Sequence, residues 1–166
     1  MHNLVKEFME VYGQLPNTMS EEDTFKLRVS LIQEEAAELI AAKNEVEELD
    51  ALVDIAYVVY GSYLAFGTQG PDLEDIEYEE ASAQAIFDAA MNIDAETVDS
   101  DLDEVLGLTL ALGRKYDFEG AFKEVHSSNM SKLGTDGKPV KRHDGKILKG
   151  PNYRPPNLAP FTKNFA

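Results

Sequence analysis

Residues 47–66 read EELDALVDIAYVVYGSYLAF. After its acidic start, this stretch is apolar on nearly every side when it is drawn as a helix, and Gly67 follows where helices commonly end. A helix that is apolar all round belongs in a core, because it has no face suited to water. We therefore predict that a helix from Glu47 to about Phe66 forms the centre of the fold.

Apolar residues recur at helical spacing in further segments. We expect helices in these ranges: 3–12, 24–43, 74–91, 99–115 and 118–133. Ser20 is followed by three acidic residues, which is typical of an N-cap and a first helical turn. Residues 139–149 predict a short hairpin with Asp144-Gly145 at its turn, and residues 152–166 are a proline-containing irregular tail. The predicted fold is an all-α bundle with a short C-terminal hairpin and an irregular tail.

Length and charge indicate one domain with two electrically different parts. The chain has 166 residues and a net charge of −16. Residues 1–120 carry 6 Lys+Arg and 28 Asp+Glu, whereas residues 121–166 carry 9 and 3. We predict a single domain over residues 1–166, with a helical body at about 3–133 and a basic appendix at about 134–166. The acidic body repels phosphates, so we do not expect duplex nucleic acid as a partner.

Composition also bounds the cellular setting. We expect no membrane partner, because no apolar run approaches the roughly 20 residues that span a bilayer. The N-terminus lacks the basic-then-apolar pattern of a signal peptide, so we expect a cytoplasmic protein. The chain has no cysteine, which excludes disulfides, thiolate zinc sites and cysteine nucleophiles.

Acidic residues recur at helical spacing on two neighbouring predicted helices. Residues 34–38 read EEAAE, which places Glu35 and Glu38 on one face. Asp50 and Asp54 lie four residues apart on the next helix, and a carboxylate inside an apolar stretch is rarely left unpaired. Gathered carboxylates repel one another, and hard divalent cations such as Mg²⁺ and Mn²⁺ compensate that charge. The alternative is a solvated acidic helix face.

Three segments together carry a family resemblance. The order EExxE, then residues 50–61, then residues 125–132 (VHSSNMSK) resembles the all-α nucleoside triphosphate pyrophosphohydrolases. Within them it is similar to the MazG-like, phosphoribosyl-ATP-pyrophosphohydrolase-like branch found in bacteria and phages. Residues 134–139, 144–146 and 149–153 look like the same branch. The resemblance implies a MazG-like helical bundle that cleaves a nucleoside triphosphate between its α- and β-phosphates, giving monophosphate and pyrophosphate.

The resemblance also implies roles for the acids. The metal ligands that it implies, for Mg²⁺ or Mn²⁺, are Glu35, Glu38, Asp50 and Asp54. Its catalytic residues are Glu34 and Glu35, where Glu34 orients or deprotonates the attacking water or is a further ligand. The sequence departs from the superfamily at one point, because Ala51 stands three residues before Asp54 where an acid is usual. Asp50 or Glu47 replaces that acid, and we take Asp50.

The remaining phosphate charge needs cations and hydrogen-bond donors. The candidate substrate-binding residues are Asn129, Lys132, Arg142, Lys146, Lys149 and Tyr153. Asn129 and Lys132 share a helix face and lie in the matching segment, whereas lysines in loops are commonly only solvated. We expect His126 to be a helix-surface or interface residue rather than a ligand.

The expected activity is control of the nucleotide pool. The substrate is a free nucleoside triphosphate, either a purine such as (d)GTP or a pyrimidine such as dUTP or dCTP, and in a phage the role would be to reshape the precursor pool. The apolar helix predicted at residues 47–66 favours packing against a partner subunit, in a homodimer or homotetramer. The rival hypotheses are phosphoribosyl-ATP hydrolysis and a non-catalytic helical interaction module.

Overall fold

The computed structural model describes residues 1–72, 81–143 and 147–163, and these ranges contain α-helices and no strand. The helices are α1 His2–Val11, α2 Glu21–Ala41, α3 Glu45–Phe66, α4 Ala83–Met91, α5 Val98–Gly113 and α6 Phe118–Met130, followed by a 3-10 turn at Ala159–Phe161. Buried side chains from every helix, together with Leu158 of the tail, form one hydrophobic cluster. The predicted all-α class is confirmed.

The central helix lies where the sequence predicts it. α3 packs against α1, α2, α5 and α6. By length and composition alone α3 could cross a membrane, so the expectation that no apolar run is long enough is wrong for this helix. However, 67% of its most apolar window is buried inside the protein, which is the pattern of a core helix.

Local capping sets the ends of α2 and α3. The Ser20 hydroxyl accepts a hydrogen bond from the Asp23 amide at 3.1 Å, so the predicted cap is confirmed and α2 begins at Glu21. Asn44 caps α3 in the same way through the Glu47 amide at 2.9 Å, which starts the helix two residues before the predicted position. Gly67 ends α3 in the left-handed conformation, with φ of 71°.

The predicted helix over residues 74–91 is wrong in its start. Ser82 has extended backbone angles, and its hydroxyl accepts a hydrogen bond from the Ala85 amide at 3.1 Å. A serine that caps the following turn interrupts any helix that reaches it, so α4 begins at Ala83. Residues 73–80 lie outside the described ranges.

The C-terminal segment forms less regular structure than a hairpin. One isolated antiparallel bridge pairs Lys141 with Ile147, and the Leu148 amide donates to the Val140 carbonyl at 2.8 Å. The predicted turn at Asp144-Gly145 lies outside the described residues.

The tail packs on the helical body. The Gly150 amide donates to the Lys132 carbonyl at 2.9 Å, and the Asp117 amide donates to the Phe161 carbonyl at 3.0 Å. The segment that follows the bridge therefore contacts both ends of α6. Gly150 is required there, because a Cβ would collide with the Leu133 backbone.

Candidate metal centre

Three carboxylates from α2 and α3 converge at the interface of these helices. One oxygen of each of Glu35, Glu38 and Asp54 lies within 4.8 Å of the other two. Glu35 and Glu38 are three residues apart on α2, so they share the face that packs on α3, where Asp54 projects between apolar neighbours. This spacing suits oxygen ligands around a hard cation.

The electrostatics of these side chains show how costly the cluster is without a cation. Burial raises the pKa of Asp54 well above its usual range, and the charges of Asp50 and Glu35 raise it further. Burial and the neighbouring Glu38 raise the pKa of Glu35 to about 7. Glu35 Oε2 is also buried, with no hydrogen-bond partner among the described residues. A buried acceptor inside a group of repelling carboxylates fits a divalent cation.

Asp50 lies beside the three converging acids rather than among them. It is half-buried, and burial and the Glu38 charge raise its pKa. Asp50, Glu38 and Glu47 line one cleft of about 230 Å³. Glu47, the alternative replacement acid, accepts a hydrogen bond from the Lys43 amide at 2.7 Å and so helps to hold the loop before α3. This bond favours Asp50 over Glu47 as the further ligand.

Glu34 lies at the solvent edge of the centre. Its side chain is exposed, and its charge contributes to the raised pKa of Glu35. The structure places it next to the converging acids, and its role as base or ligand stays a prediction.

The end of α6 faces the acidic centre. Lys132, in the turn after α6, is close enough to lower the pKa of Asp54 and so partly offsets its burial. Asn129 is one turn earlier, and its backbone carbonyl accepts a hydrogen bond from the Tyr12 hydroxyl at 2.7 Å. Lys132 and Asn129 therefore lie on the side of the molecule that carries the converging acids.

The candidates in the tail are placed unequally. Lys149 Nζ lies 4.7 Å from the centroid of the Tyr153 ring, a cation–π contact, and both residues flank Gly150, which bonds to Lys132. Arg142 is exposed beside the bridge residue Lys141. Lys146 lies outside the described residues. Their substrate contacts stay predictions.

The expectation that His126 lies on a helix surface is wrong, because it is buried where α6 meets α1 and α3. Its residue exposure is only 7%, because α6 packs against both α1 and α3 at this point. Its Nδ1 lies 3.0 Å from the Tyr57 hydroxyl and its Nε2 lies 3.1 Å from Glu7 Oε1. Sequence reasoning missed Glu7 and Tyr57. A signal was present for Tyr57, which stands one helical turn after Asp54.

Comparisons with known proteins give a family match and a viral relative. The family model of phosphoribosyl-ATP pyrophosphohydrolase matches residues 5–83. An uncharacterised protein of Acanthamoeba polyphaga mimivirus is 32% identical over 178 residues, covering 80% of this chain and 70% of that protein. No solved structure gives a significant match.

The family match and the metal centre coincide in the chain. Residues 5–83 include all the candidate acids, namely Glu34, Glu35, Glu38, Glu47, Asp50 and Asp54, whereas α6 and the basic tail lie beyond the match. Three of these acids, Glu35, Glu38 and Asp54, are the ones that the fold brings together between α2 and α3. The chain therefore belongs to the phosphoribosyl-ATP pyrophosphohydrolase family of the MazG-like all-α superfamily, and the kind of activity that this family supports is nucleotide pyrophosphohydrolysis.

Proposed function

We propose that the protein hydrolyses a free (deoxy)nucleoside triphosphate to the monophosphate and pyrophosphate with Mg²⁺ or Mn²⁺, and so controls the nucleotide pool. One observation carries the proposal. Glu35, Glu38 and Asp54 converge within 4.8 Å, and one buried Glu35 oxygen lacks a protein partner in the described ranges. A helical scaffold alone gains nothing from this unfavourable arrangement.

The acids on α2 and α3 would hold the metal. Glu35, Glu38 and Asp54 supply the converging oxygens, and Asp50 extends the set toward the adjoining cleft. A bound divalent cation neutralises phosphate charge and acidifies water. Glu34, exposed at the edge, orients the attacking water or takes its proton, or else serves as a further ligand.

The cationic side of the site would bind the triphosphate. Lys132, in the turn after α6, is close enough to Asp54 to lower its pKa, and Asn129 is one turn earlier, so both would suit phosphate oxygens. Lys149 and Tyr153 supply a further cation and an aromatic ring for phosphate or base. The water oxygen attacks the α-phosphorus, the bond from that phosphorus to the bridging oxygen breaks, and pyrophosphate leaves with the bridging oxygen.

Phosphoribosyl-ATP is the second candidate substrate. The description of the matching family model favours it. The basic tail and Ala51, which stands where an acid is usual, favour a nucleoside triphosphate. The two candidates share the metal chemistry and differ only in what is attached to the α-phosphate.

A substrate panel separates these candidates. The common ribo- and deoxyribonucleoside triphosphates and phosphoribosyl-ATP are each incubated with the protein and Mg²⁺ or Mn²⁺, and pyrophosphate and orthophosphate are measured. We expect pyrophosphate from at least one triphosphate, with loss of activity in Glu38→Gln. The matched control is Glu22→Gln in the first turn of the same helix, where the side chain is 77% exposed.

Each other outcome of the panel has a meaning. Turnover of phosphoribosyl-ATP alone would support the second candidate. Orthophosphate as the first product would contradict the cleavage position. No turnover of any substrate, together with no effect of Mg²⁺ on melting, would support a non-catalytic helical interaction module.

We also propose a cytoplasmic homodimer or homotetramer, from a bacterial or phage setting. The apolar face of α3 is covered within the chain, so it does not itself require a partner subunit. Exposed apolar side chains on α2 give separate support, since Leu27 is 43% and Ile40 46% exposed. Light scattering after size-exclusion chromatography tests the assembly, and a monomer at micromolar concentration would contradict it.

A further inference from the structure

A hydrogen-bonded chain of three side chains links α1, α6 and α3 behind the candidate site. Glu7 Oε1 lies 3.1 Å from His126 Nε2, and His126 Nδ1 lies 3.0 Å from the Tyr57 hydroxyl. The Glu7 side chain is 57% exposed and the His126 side chain only 9% exposed, so the chain runs from solvent into the core. The Tyr57 ring also stacks on Phe122, with ring centroids 5.4 Å apart. These contacts leave the tyrosine little freedom to rotate.

Hydrogen-bond chemistry gives the chain a direction. A carboxylate only accepts, so Nε2 of a neutral His126 donates to Glu7 and its Nδ1 carries the lone pair. The Tyr57 hydroxyl then donates to Nδ1, and its oxygen is left to accept from another group. Asn129 stands one turn after His126 and two turns after Phe122, which both contact Tyr57, so it shares the α6 face that meets the tyrosine. Its amide is the N–H donor that this face offers to the hydroxyl oxygen. Burial raises the pKa of the Tyr57 hydroxyl, and Asn129 acts against that rise.

The far end of the chain lies at the proposed substrate site. Tyr57 is one turn from the candidate ligand Asp54, and Asn129 is one turn from Lys132, which faces that aspartate. The Asn129 backbone is held separately, because its carbonyl accepts from the Tyr12 hydroxyl at 2.7 Å. Because the backbone is held, the orientation of the Asn129 side-chain amide is what the remaining contacts determine.

We propose that Glu7, His126 and Tyr57 are positioning residues that fix the Asn129 amide, with its nitrogen toward Tyr57 and its carbonyl oxygen free to meet substrate. The proposal rests on the proposed function, because it takes Asn129 as a substrate contact. None of the three residues touches the substrate. The role goes beyond packing, because reversing the donor order would turn the amide around.

Nuclear magnetic resonance tests the direction of the chain without any substrate. Long-range ¹H–¹⁵N spectra of the ¹⁵N-labelled full-length protein distinguish the two imidazole tautomers. The protein has three histidines, and the His126 signals are the ones that disappear in His126→Gln. We expect Nε2 protonated and Nδ1 bare. A ring protonated at Nδ1, or at both nitrogens, at about pH 8, where free imidazole is neutral, would overturn the proposal.

Kinetics tests the functional consequence. Tyr57→Phe keeps the ring and removes the hydroxyl, and we expect kcat/KM for the best substrate to fall about tenfold, mostly through KM. Asn129→Ala combined with Tyr57→Phe should be no slower than Asn129→Ala alone, because Tyr57 acts through Asn129. Additive losses would overturn the proposal.

A matched variant controls for simple destabilisation. Tyr63→Phe removes a comparable hydroxyl from the same helix, where it donates to Asp103 at 2.5 Å, and should lower melting temperature without changing KM. If the wild-type protein turns over no nucleotide, the proposed function fails, and the tautomer of His126 still decides whether the chain has the proposed direction.

Discussion

The carboxylates of this protein fall into two groups that the fold treats in opposite ways. Glu48 accepts from Lys115 at 2.5 Å and from the Tyr116 hydroxyl at 2.7 Å, and these bonds hold its pKa below the usual range against burial. Glu35 and Asp54 face other acids, and their pKa values are raised. The fold therefore supplies partners to a structural acid, whereas Lys132 offsets the charge of the converging acids only in part.

The largest expected effect comes from removing one of the converging carboxylates that have raised pKa values. Asp54→Asn should lower pyrophosphohydrolase activity by more than about 100-fold, since a ligand matters more than the outer-shell groups around it. The same change should raise the melting temperature in EDTA, because it removes repulsion among the converging acids. Activity assays and calorimetry check the two effects.

A conservative change elsewhere serves as the control for this variant. Asp103→Asn alters a half-buried acid on α5 that accepts from Tyr63, away from the metal centre. It should leave activity near wild type and lower stability. Equal behaviour of the two asparagine variants would contradict the distinction between the groups.

Metal addition is the next largest effect. Stabilisation by a ligand of the folded state is about 2.7 kcal/mol at 100 times its Kd. Mg²⁺ or Mn²⁺ should therefore raise the melting temperature of the EDTA-treated protein, and Glu38→Gln should reduce this shift. A shift that is the same in wild type and Glu38→Gln would place the cation somewhere else.

Removing one of the bonds to Glu48 should lower stability without affecting activity. Tyr116→Phe removes one donor from Glu48, and we expect a loss of about 1 kcal/mol in the free energy of unfolding. The Mg²⁺-dependent shift and kcat/KM should stay as in wild type. Chemical denaturation with and without Mg²⁺ measures both, and a lost metal response would contradict the separation.

The smallest effect is a pH dependence of the tail contact. Arg154 bonds to Glu124 and lowers the pKa of that carboxyl below its unfolded value of 4.5. A lowered pKa contributes stability above the unfolded value, and this contribution is lost as pH falls through the folded value. Arg154→Gln should remove a stability term of less than about 1 kcal/mol near neutral pH and flatten the acid limb below pH 4.5. An unchanged acid limb in denaturation curves would contradict this assignment.

The parts of the fold that depend on local pattern were predictable from sequence. α2 and α3, the Ser20 cap and the Gly67 end follow from helical spacing and capping chemistry, and the convergence of Glu35 with Glu38 follows from the helix period. The start of α4 was missed because the hydroxyl of Ser82 competes with an otherwise favourable alanine-rich pattern.

The rest of the site depends on contacts between distant residues. Tyr57 and His126 meet across 69 positions, and His126 and Glu7 across 119, so no local spacing reveals them. The choice of Asp50 over Glu47 as the further ligand likewise depends on a tertiary detail, because the Lys43 backbone amide donates a hydrogen bond to Glu47. Helix periodicity states which side chains share a face, and only the packing of helices states which faces meet.

The bonds from the tail to both ends of α6 have a practical consequence. Gly150 is bonded just after the last residue of α6, and Phe161 is bonded just before the first residue. The tail therefore runs antiparallel beside that helix and supports it from outside. A chain shortened before Gly150 should keep the six described helices and every acid, while losing this support for the proposed phosphate-binding residues of the last helix and turn. Comparing this truncated chain with the full chain would therefore test the proposed nucleotide binding separately from the proposed ion binding.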